Sequence, residues 1–445
     1  MATDARTYSI VTLGCAKNQV DSDKLAGKLE ADGLDAVADP GDADLIVVNT
    51  CAFIEEARTE SIDTVLGLDD VRRDGSRLVV TGCMAERYGD ELAEALPEVD
   101  RVAGFGRELD PDHIPTTGSS GPVSLGIGRK PRPAGASVAD FDLLNLPRPA
   151  TARPWAYVKA AEGCDRACGF CAIPTFRGKQ RSRPIDSVLA EIEALDVSEI
   201  VLIAQDLVSY GRDQGQGSLQ LEELVRKAAE RVAWVRLLYL YPSGLTDALI
   251  DAMLATGVAY FDLSLQHVSP PLLRRMRRPG SAEKFASRID AIRALEPSSA
   301  FRSNFIVGYP GETEADHDAL LDFVEWARLD WCGFFAYSPE DGTHAVGLDG
   351  QVPRGLVADR LAELRELQER ITADARDDLV GTSTRVLVDR SGVARSHREA
   401  PEIDGIIHVP EALEVGAFCD VEIIGAAGTD LEAVPVRAGV GELIR

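Results

Sequence analysis

Apolar and polar positions follow three different rhythms along this chain. Over roughly the first hundred residues, Val- and Ile-rich runs at 8–13, 45–49 and 78–81 alternate with stretches at 20–31, 54–66 and 86–96 that read as helices. Short continuous apolar runs are the mark of strands buried on both faces, and their alternation with helices predicts a doubly wound parallel α/β domain. A second βα series starts at residue 155. Strand-like runs lie at 155–160, 199–205, 234–240, 260–265, 301–307 and 331–337, with helical segments such as 185–195, 219–229 and 313–326 between them. Six units are too few for a closed eight-stranded barrel, so a partial (β/α)6 barrel of the TIM type, open on one side, is expected. After one long charged helix at 352–376, short runs at 384–388, 405–408, 418–424 and 433–436 with Gly between them predict a small antiparallel β-barrel.

Between the first two series the composition shifts. Thr116-Thr-Gly-Ser-Ser-Gly-Pro and Arg129-Lys-Pro-Arg-Pro-Ala-Gly read as linker. The expected plan is an α/β domain at 1–110, a linker at 111–150, the partial barrel at 151–380 and the β-barrel at 381–445. The opening residues lack the apolar core of a signal peptide, and no apolar run is long enough to cross a bilayer. Eight cysteines in such a chain read as metal or redox residues in a reducing cytoplasm, not as a disulfide framework.

The cysteines are not scattered. Cys164, Cys168 and Cys171 form Gly-Cys-Asp-Arg-Ala-Cys-Gly-Phe-Cys directly after the first strand of the second series. A structural zinc site needs four ligands and has no fourth candidate nearby. Electron-transfer clusters normally have four cysteines as well, whereas three can hold a 4Fe-4S cluster with one iron left open for chemistry. Phe170 is placed to shield such a cluster and to pack on adenine. Cys15, Cys51 and Cys83 each stand just past the carboxyl end of a predicted strand, the edge where open parallel sheets bind ligands. A single buried cysteine is usually packing, but three at equivalent strand ends suggest a second three-ligand cluster. Gly14 and Gly82 precede two of them and leave backbone amides free to approach sulfur. Cys332 and Cys419 lie inside strand-like runs and read as structural.

The run at 164–171 and its strand setting resemble the radical S-adenosylmethionine superfamily. That resemblance implies reductive cleavage of the sulfonium to a 5′-deoxyadenosyl radical. Gln205 and Asp206 after the second strand, Gln266 after the fourth, and Arg302 and Ser303 on the fifth are candidates for the cofactor pocket; for each, a hydrogen bond inside the barrel is the competing reading. His267 reads as a ligand or a satisfied core histidine, the latter favoured. Arg177, Lys179, Arg181 and Arg183, and likewise Arg274, Arg275, Arg277 and Arg278, either meet an anionic substrate or form solvated basic faces, the more ordinary reading.

Taken together, both trios resemble the methylthiotransferases, and the resemblance spans all three parts, the last as a TRAM domain. The wording is nearest the RimO-type ribosomal protein branch. It rests on Leu13-Gly-Cys-Ala-Lys-Asn-Gln-Val-Asp-Ser22, Asn49-Thr-Cys-Ala-Phe-Ile-Glu-Glu-Ala57, Thr81-Gly-Cys-Met-Ala-Glu-Arg-Tyr88, Ala161-Glu-Gly-Cys-Asp-Arg-Ala-Cys-Gly-Phe-Cys-Ala-Ile-Pro174 and Arg274-Arg-Met-Arg-Arg-Pro-Gly280. The resemblance implies addition of a methylthio group to the β-carbon of an aspartate in small ribosomal subunit protein twelve, with two S-adenosylmethionine molecules used. By the same resemblance Cys15, Cys51 and Cys83 hold a sulfur-donating 4Fe-4S cluster, and Cys164, Cys168 and Cys171 the radical-generating one. Ser264, where Pro is expected, and Leu207-Val208, in place of a Thr pair, depart from the pattern in the cofactor pocket.

Charge bears on the choice of substrate. The chain carries a net charge of −26, which repels nucleic acid at long range and favours basic partners. A TRAM domain that grips tRNA should be basic, yet residues 384–445 hold 11 acids against 6 bases. A basic ribosomal protein, free or within the ribosome, therefore fits better than tRNA, the substrate of the rival tRNA adenosine methylthiotransferase reading. A non-catalytic iron–sulfur protein docking on the ribosome is the reading from another class. An external reductant protein is implied, no membrane is involved, and a monomer is expected.

Overall fold

The computed structural model describes residues 6–109, 140–215 and 219–436. The two linker motifs beginning at Thr116 and Arg129 lie outside the described residues. The chain divides into two compact units that do not follow its linear order. The first unit comprises residues 1–150, 161–183 and 338–347, and the second comprises residues 151–160, 184–337 and 348–445.

The first unit is built on a parallel sheet. Its elements are β1 (Thr7–Thr12), α1 (Ala16–Ala31), β2 (Asp35–Ala36), β3 (Leu45–Thr50), α2 (Glu55–Val71), β4 (Arg77–Gly82), α3 (Cys83–Tyr88), α4 (Asp90–Ala95) and β5 (Arg101–Val102). All five strands pair in parallel in the order β2-β1-β3-β4-β5. Every residue of β3 is buried, as expected for the central strand of a sheet covered on both faces. Two small cores, one around Ile46, Val48 and Val80 and the other around Leu45, Val47 and Val79, lie on opposite faces of the sheet. The helix expected at 86–96 is two helices, broken at Gly89, whose φ of +51° no interior helix position takes. Helix α1 begins four residues earlier than its apolar pattern suggested. Its first turns bury Asn18, Asp21 and Ser22, so polarity there marks a site and not solvent.

From Trp155 the second unit begins with β6 (Trp155–Lys159). The chain then contributes β7 (Ala161–Glu162), α5 (Ile173–Phe176) and β8 (Arg181–Ser182) to the first unit. The second unit resumes with α6 (Ile185–Leu195), β9 (Glu199–Ile203), α7 (Leu219–Ala229), β10 (Trp234–Leu237), α8 (Asp247–Leu254), β11 (Tyr260–Gln266), α9 (Pro270–Arg275), α10 (Ala282–Leu295), β12 (Ala300–Val307), α11 (Glu314–Ala327) and β13 (Trp331–Ala336). β6-β9-β10 and β11-β12-β13 are parallel sheets, joined by a single bridge between Leu240 and Leu263. The six strands therefore run in sequence order as an open barrel, as expected.

Helix α12 (Arg354–Asp377) leads to β14 (Ser383–Arg390), β15 (Val393–Arg395), β16 (Ile407–His408), β17 (Phe418–Ala427) and β18 (Asp430–Pro435). These close into a barrel in the order β14-β15-β16-β18-β17 around Val386, Val388, Val421, Ile423 and Leu431. The barrel is antiparallel except for the parallel pair β16–β18, a departure from the all-antiparallel expectation. Strand β15, only three residues long, carried no readable alternation. Its loop, residues 396–404, reaches back to the open barrel: Tyr157 donates to the Pro401 carbonyl at 2.8 Å, and Tyr260 to Asp404 at 2.6 Å.

Candidate active site

All six cysteines of the two trios belong to the first unit. Cys15 precedes α1, Cys51 follows β3 and Cys83 opens α3, so the parallel order of β1, β3 and β4 brings the three to one sheet edge. The approach is tight. A Cβ on Gly14, at φ +92°, would sit 2.9 Å from Cys51 Sγ, and one on Gly82, at φ +90°, 2.3 Å from Asn49 Oδ1 and 2.6 Å from the Thr50 carbonyl. Only glycine permits both the backbone turn and the close contact.

The thiols feel one another. Burial, aided by Cys83 and Cys15, pushes the Cys51 thiol up to about 12, against the opposing pull of the Phe53 amide and Arg177. Burial likewise raises Cys83, opposed by Arg177. Burial also raises Cys15, but Lys17, Arg177 and the amides of Asn18 and Lys17 outweigh it and hold the thiol below its ordinary value. A cation close to one sulfur and mutual repulsion among all three define one shared site.

Asn18 and Arg177 organise that site. Asn18, fully buried, donates from Nδ2 to the Leu13 carbonyl at 2.8 Å and the Thr50 carbonyl at 3.1 Å, linking the chain just before Cys15 to that just before Cys51. Its Oδ1 lies 3.6 Å from Cys83 Sγ and accepts from Arg177 Nη2 at 2.6 Å. Arg177 donates to Cys83 Sγ from Nε at 3.3 Å and from Nη2 at 3.0 Å. The reading of Arg177 and Arg183 as parts of a solvated face is corrected: both are buried, while Lys179 and Arg181 are exposed. Their spacing resembled a surface cluster, and no local signal distinguished the buried pair from the exposed one. In the second basic cluster Arg274 and Arg277 are exposed, but Arg278 is buried against the Tyr241 ring.

The second trio sits in a loop with its own backbone scaffold. The Cys164 amide donates to the Gly178 carbonyl at 3.1 Å, and the Arg166 amide approaches Cys164 Sγ at 3.4 Å. Such amide donation to sulfur is what clusters use to tune their thiolates. A Cβ on Gly163 would meet the Lys179 carbonyl at 2.1 Å. The segment 338–347 braces both loops from within the same unit. Ala345 donates to the Gly169 carbonyl at 2.8 Å, and buried Glu340 accepts from Arg58 and Arg87, each at 2.6 Å. Phe170 is half-buried in this loop. All-cysteine donor sets, glycines opened toward sulfur and amides near sulfur fit iron–sulfur clusters. Among the described residues, no three of His, Cys, Asp or Glu are spaced for a single metal ion.

The remaining candidates belong to the second unit. Gln205 and Asp206 follow β9, where Ser209 donates to Asp206 at 2.6 Å. The neighbouring Leu207 and Val208 are fully buried, with Val208 packed where a Cβ on Gly244 would stand. Gln266 ends β11 at φ +72°, and Tyr239 just past β10 has φ +64°. Left-handed non-glycine residues are costly and cluster at functional sites, here at the carboxyl ends of adjacent barrel strands. Ser303 is buried and donates to the Leu263 carbonyl at 2.7 Å. Arg302 stands near the start of β12, and its Nη1 pairs with Asp404 at 2.6 Å. Arg302 and Ser303 thus hold hydrogen bonds within the second unit, while Gln205 and Asp206 stand just past β9 and Gln266 at the end of β11. His267 is buried and accepts from the Ser269 amide through Nδ1, while its Nε2 lacks a partner, so it is a core histidine satisfied on one side.

Comparisons with known proteins assign the class. Residues 7–104 match the Uncharacterized protein family UPF0004, residues 158–324 the Radical SAM superfamily, and residues 380–436 the TRAM domain. The chain is therefore a radical S-adenosylmethionine enzyme with appended N-terminal and TRAM domains. It is 42% identical over 474 residues to the ribosomal protein uS12 methylthiotransferase RimO of Cutibacterium acnes, covering 97% of this chain and 98% of that one. The RimO proteins of Streptomyces coelicolor (97% of each chain) and Moorella thermoacetica (90% and 92%) are each 41% identical to it. The chain belongs to the ribosomal protein uS12 methylthiotransferase family, and is thus a transferase. Among solved structures, the radical S-adenosylmethionine methyltransferase TsrM from Kitasatospora setae aligns with a TM-score of 0.49 at 13% identity, covering 93% of this chain and 84% of that one. Among the described residues, no helix is long and apolar enough to cross a membrane.

Proposed function

We propose that this chain adds a methylthio group to the β-carbon of an aspartate in ribosomal protein uS12, free or within the ribosome. Two 4Fe-4S clusters are held by Cys15, Cys51 and Cys83 and by Cys164, Cys168 and Cys171, and two S-adenosylmethionine molecules are used per turnover. The observation that carries this reading is the convergence of the Cys15, Cys51 and Cys83 thiols around Asn18 and Arg177, a second three-thiol site beside the one that radical chemistry requires. When bound, the two clusters supply sulfur at one site and radical generation from S-adenosylmethionine at the other.

The chain's own residues do the rest. Gly14 and Gly82 let the strand ends close on the sulfurs. Asn18 fixes the two loops, and the buried Arg177 guanidinium neutralises thiolate charge at Cys83. Gln205, Asp206 and Gln266 are the polar groups offered to S-adenosylmethionine, with Phe170 offered to its adenine. An external reductant protein supplies electrons, and the chain acts as a monomer in the cytoplasm. The 11 acids and 6 bases of residues 384–445 support a basic protein substrate over tRNA.

Two measurements test this. Anaerobically purified protein should contain about eight iron and eight sulfide per chain, and a count near four ends the two-cluster reading. Mass spectrometry of small-subunit proteins and tRNA from a deletion strain should show the methylthio increment missing from uS12 and unchanged in tRNA. The converse result assigns a tRNA substrate.

A further inference from the structure

We propose that Arg177 is a positioning residue that sets the charge, and with it the reduction potential, of the Cys15–Cys51–Cys83 centre; this rests on the two-cluster reading above. The guanidinium has five N–H donors, and the structure uses all of them. Nε and one Nη2 hydrogen go to Cys83 Sγ, at 3.3 and 3.0 Å. The other Nη2 hydrogen goes to Asn18 Oδ1 at 2.6 Å. Nη1 reaches Asp21 at 3.1 Å and Glu162 at 3.0 Å. The Phe105 ring covers the group, with its centroid 4.6 Å from Cζ.

A purely structural arginine at this place would need only the two carboxylates. Its double contact with a ligand sulfur is extra, and it is specific to one of the three cysteines. The position of Arg177 also matters. It follows α5, whose Phe176 packs with Ala172 into the core that holds Cys83 and Met84. The same short segment that carries Cys164, Cys168 and Cys171 therefore delivers a cation to the other trio, within one compact unit.

The physical consequence has a sign. Adding an electron makes an iron–sulfur centre more negative, and a buried cation donating to a ligand sulfur stabilises that state. Away from water such a charge is weakly screened. Asp21 and Glu162 oppose it, so the centre feels the balance between one guanidinium and two carboxylates. Removing the cation lowers the potential, and removing a carboxylate raises it.

The test is potentiometric titration followed by electron paramagnetic resonance. It is run on the full chain in a Cys164→Ala, Cys168→Ala, Cys171→Ala background, where only the upstream centre reports. With Arg177→Gln the reduced fraction at fixed potential should fall at least tenfold, equivalent to about 59 mV for one electron. Arg177→Lys keeps the charge and should recover to within about threefold. Asp21→Asn should move the fraction the other way. If Arg177→Gln loses upstream iron while Arg177→Lys retains it, the charge requirement also stands. Iron loss in both Arg177 variants, equal potentials in all variants, or shifts of the same sign for Arg177→Gln and Asp21→Asn overturn the proposal. The two readings fail separately: wild-type protein with four iron defeats the two-cluster reading, whereas eight iron with an unmoved potential defeats only the role of Arg177.

Discussion

Glu199 Oε2 lies 2.8 Å from Arg395 Nη2, and the other oxygen of the same carboxylate lies 2.8 Å from Arg236 Nε, with all three side chains buried. Glu199 opens β9 of the radical barrel and Arg395 closes β15 of the TRAM barrel, so one carboxylate joins the two barrels of the second unit. Burial raises the Glu199 carboxyl, but Arg395 and Arg236 outweigh it and hold it below its ordinary range. Glu199→Ala leaves two buried guanidiniums short of a counter-charge and should cost about 3–5 kcal/mol. Urea unfolding of the full chain measures this, and a loss below about 1 kcal/mol would show the joint to be dispensable.

The two trios should separate by phenotype. Cys168→Ala is expected to abolish 5′-deoxyadenosine formation, read by chromatography of the reduced enzyme with S-adenosylmethionine. Cys51→Ala should retain that cleavage and lose methylthio transfer to uS12. Full transfer by Cys51→Ala would remove the upstream trio from the reaction.

Gly82→Ala tests the cradle. The new Cβ would meet Asn49 Oδ1 at 2.3 Å and the Thr50 backbone at 2.6 Å, at a φ of +90°. Strain and overpacking together are worth about 2–5 kcal/mol, and the nearest relief moves Cys83 away from Cys51. Iron content should drop from about eight toward four. Unchanged iron and an unchanged melting temperature would show that the strand end yields easily.

His267 should make the fold sensitive to acid. Burial, with help from His317 and Arg360, depresses its pKa from 6.5 to about 4, against the pull of Asp316. The unfolded chain takes up a proton near pH 6.5, and the folded chain does not until about pH 4. The unfolded state therefore binds more protons between those values, and stability falls as pH drops through that window, by about 3 kcal/mol in full. His267→Gln still offers an acceptor to the Ser269 amide and should flatten this slope. Unfolding midpoints at pH 7 and pH 5 for both proteins decide it, and equal slopes would place the acid sensitivity elsewhere.

Some residues spoke clearly in the sequence and others were silent. The cysteines were legible because a thiol is rare and its spacing is chemical: Cys164, Cys168 and Cys171 needed no fold to be noticed. Cys15, Cys51 and Cys83 needed only the period of three strands. Asn18, Asp21 and Glu162 carried no such signal, because each is an ordinary polar residue whose partner, the Arg177 guanidinium, is unmarked in the sequence; it lies 159 positions from Asn18, 156 from Asp21 and 15 from Glu162. Arg177 was visible but misjudged, since four basic residues at alternating positions look alike until burial separates them. The pairing of Arg302 with Asp404, 102 positions away, was likewise unmarked in the sequence.

By itself the sequence determined the α/β rhythm, the count of barrel strands, the small closing barrel and the thiols that are the candidate cluster ligands. These follow from local periodicity and from side-chain chemistry that no other residue type supplies. Tertiary structure alone decided that residues 161–183 and 338–347 join the N-terminal unit, that Arg177 reaches Cys83, and that the two barrels are joined by Glu199 with Arg395 and by Asp404 of the loop at 396–404. Such pairings depend on where the chain returns after 94 residues, as for Arg177 and Cys83, or after 196, as for Glu199 and Arg395. A charge shows no preference among distant partners until packing removes the water between them.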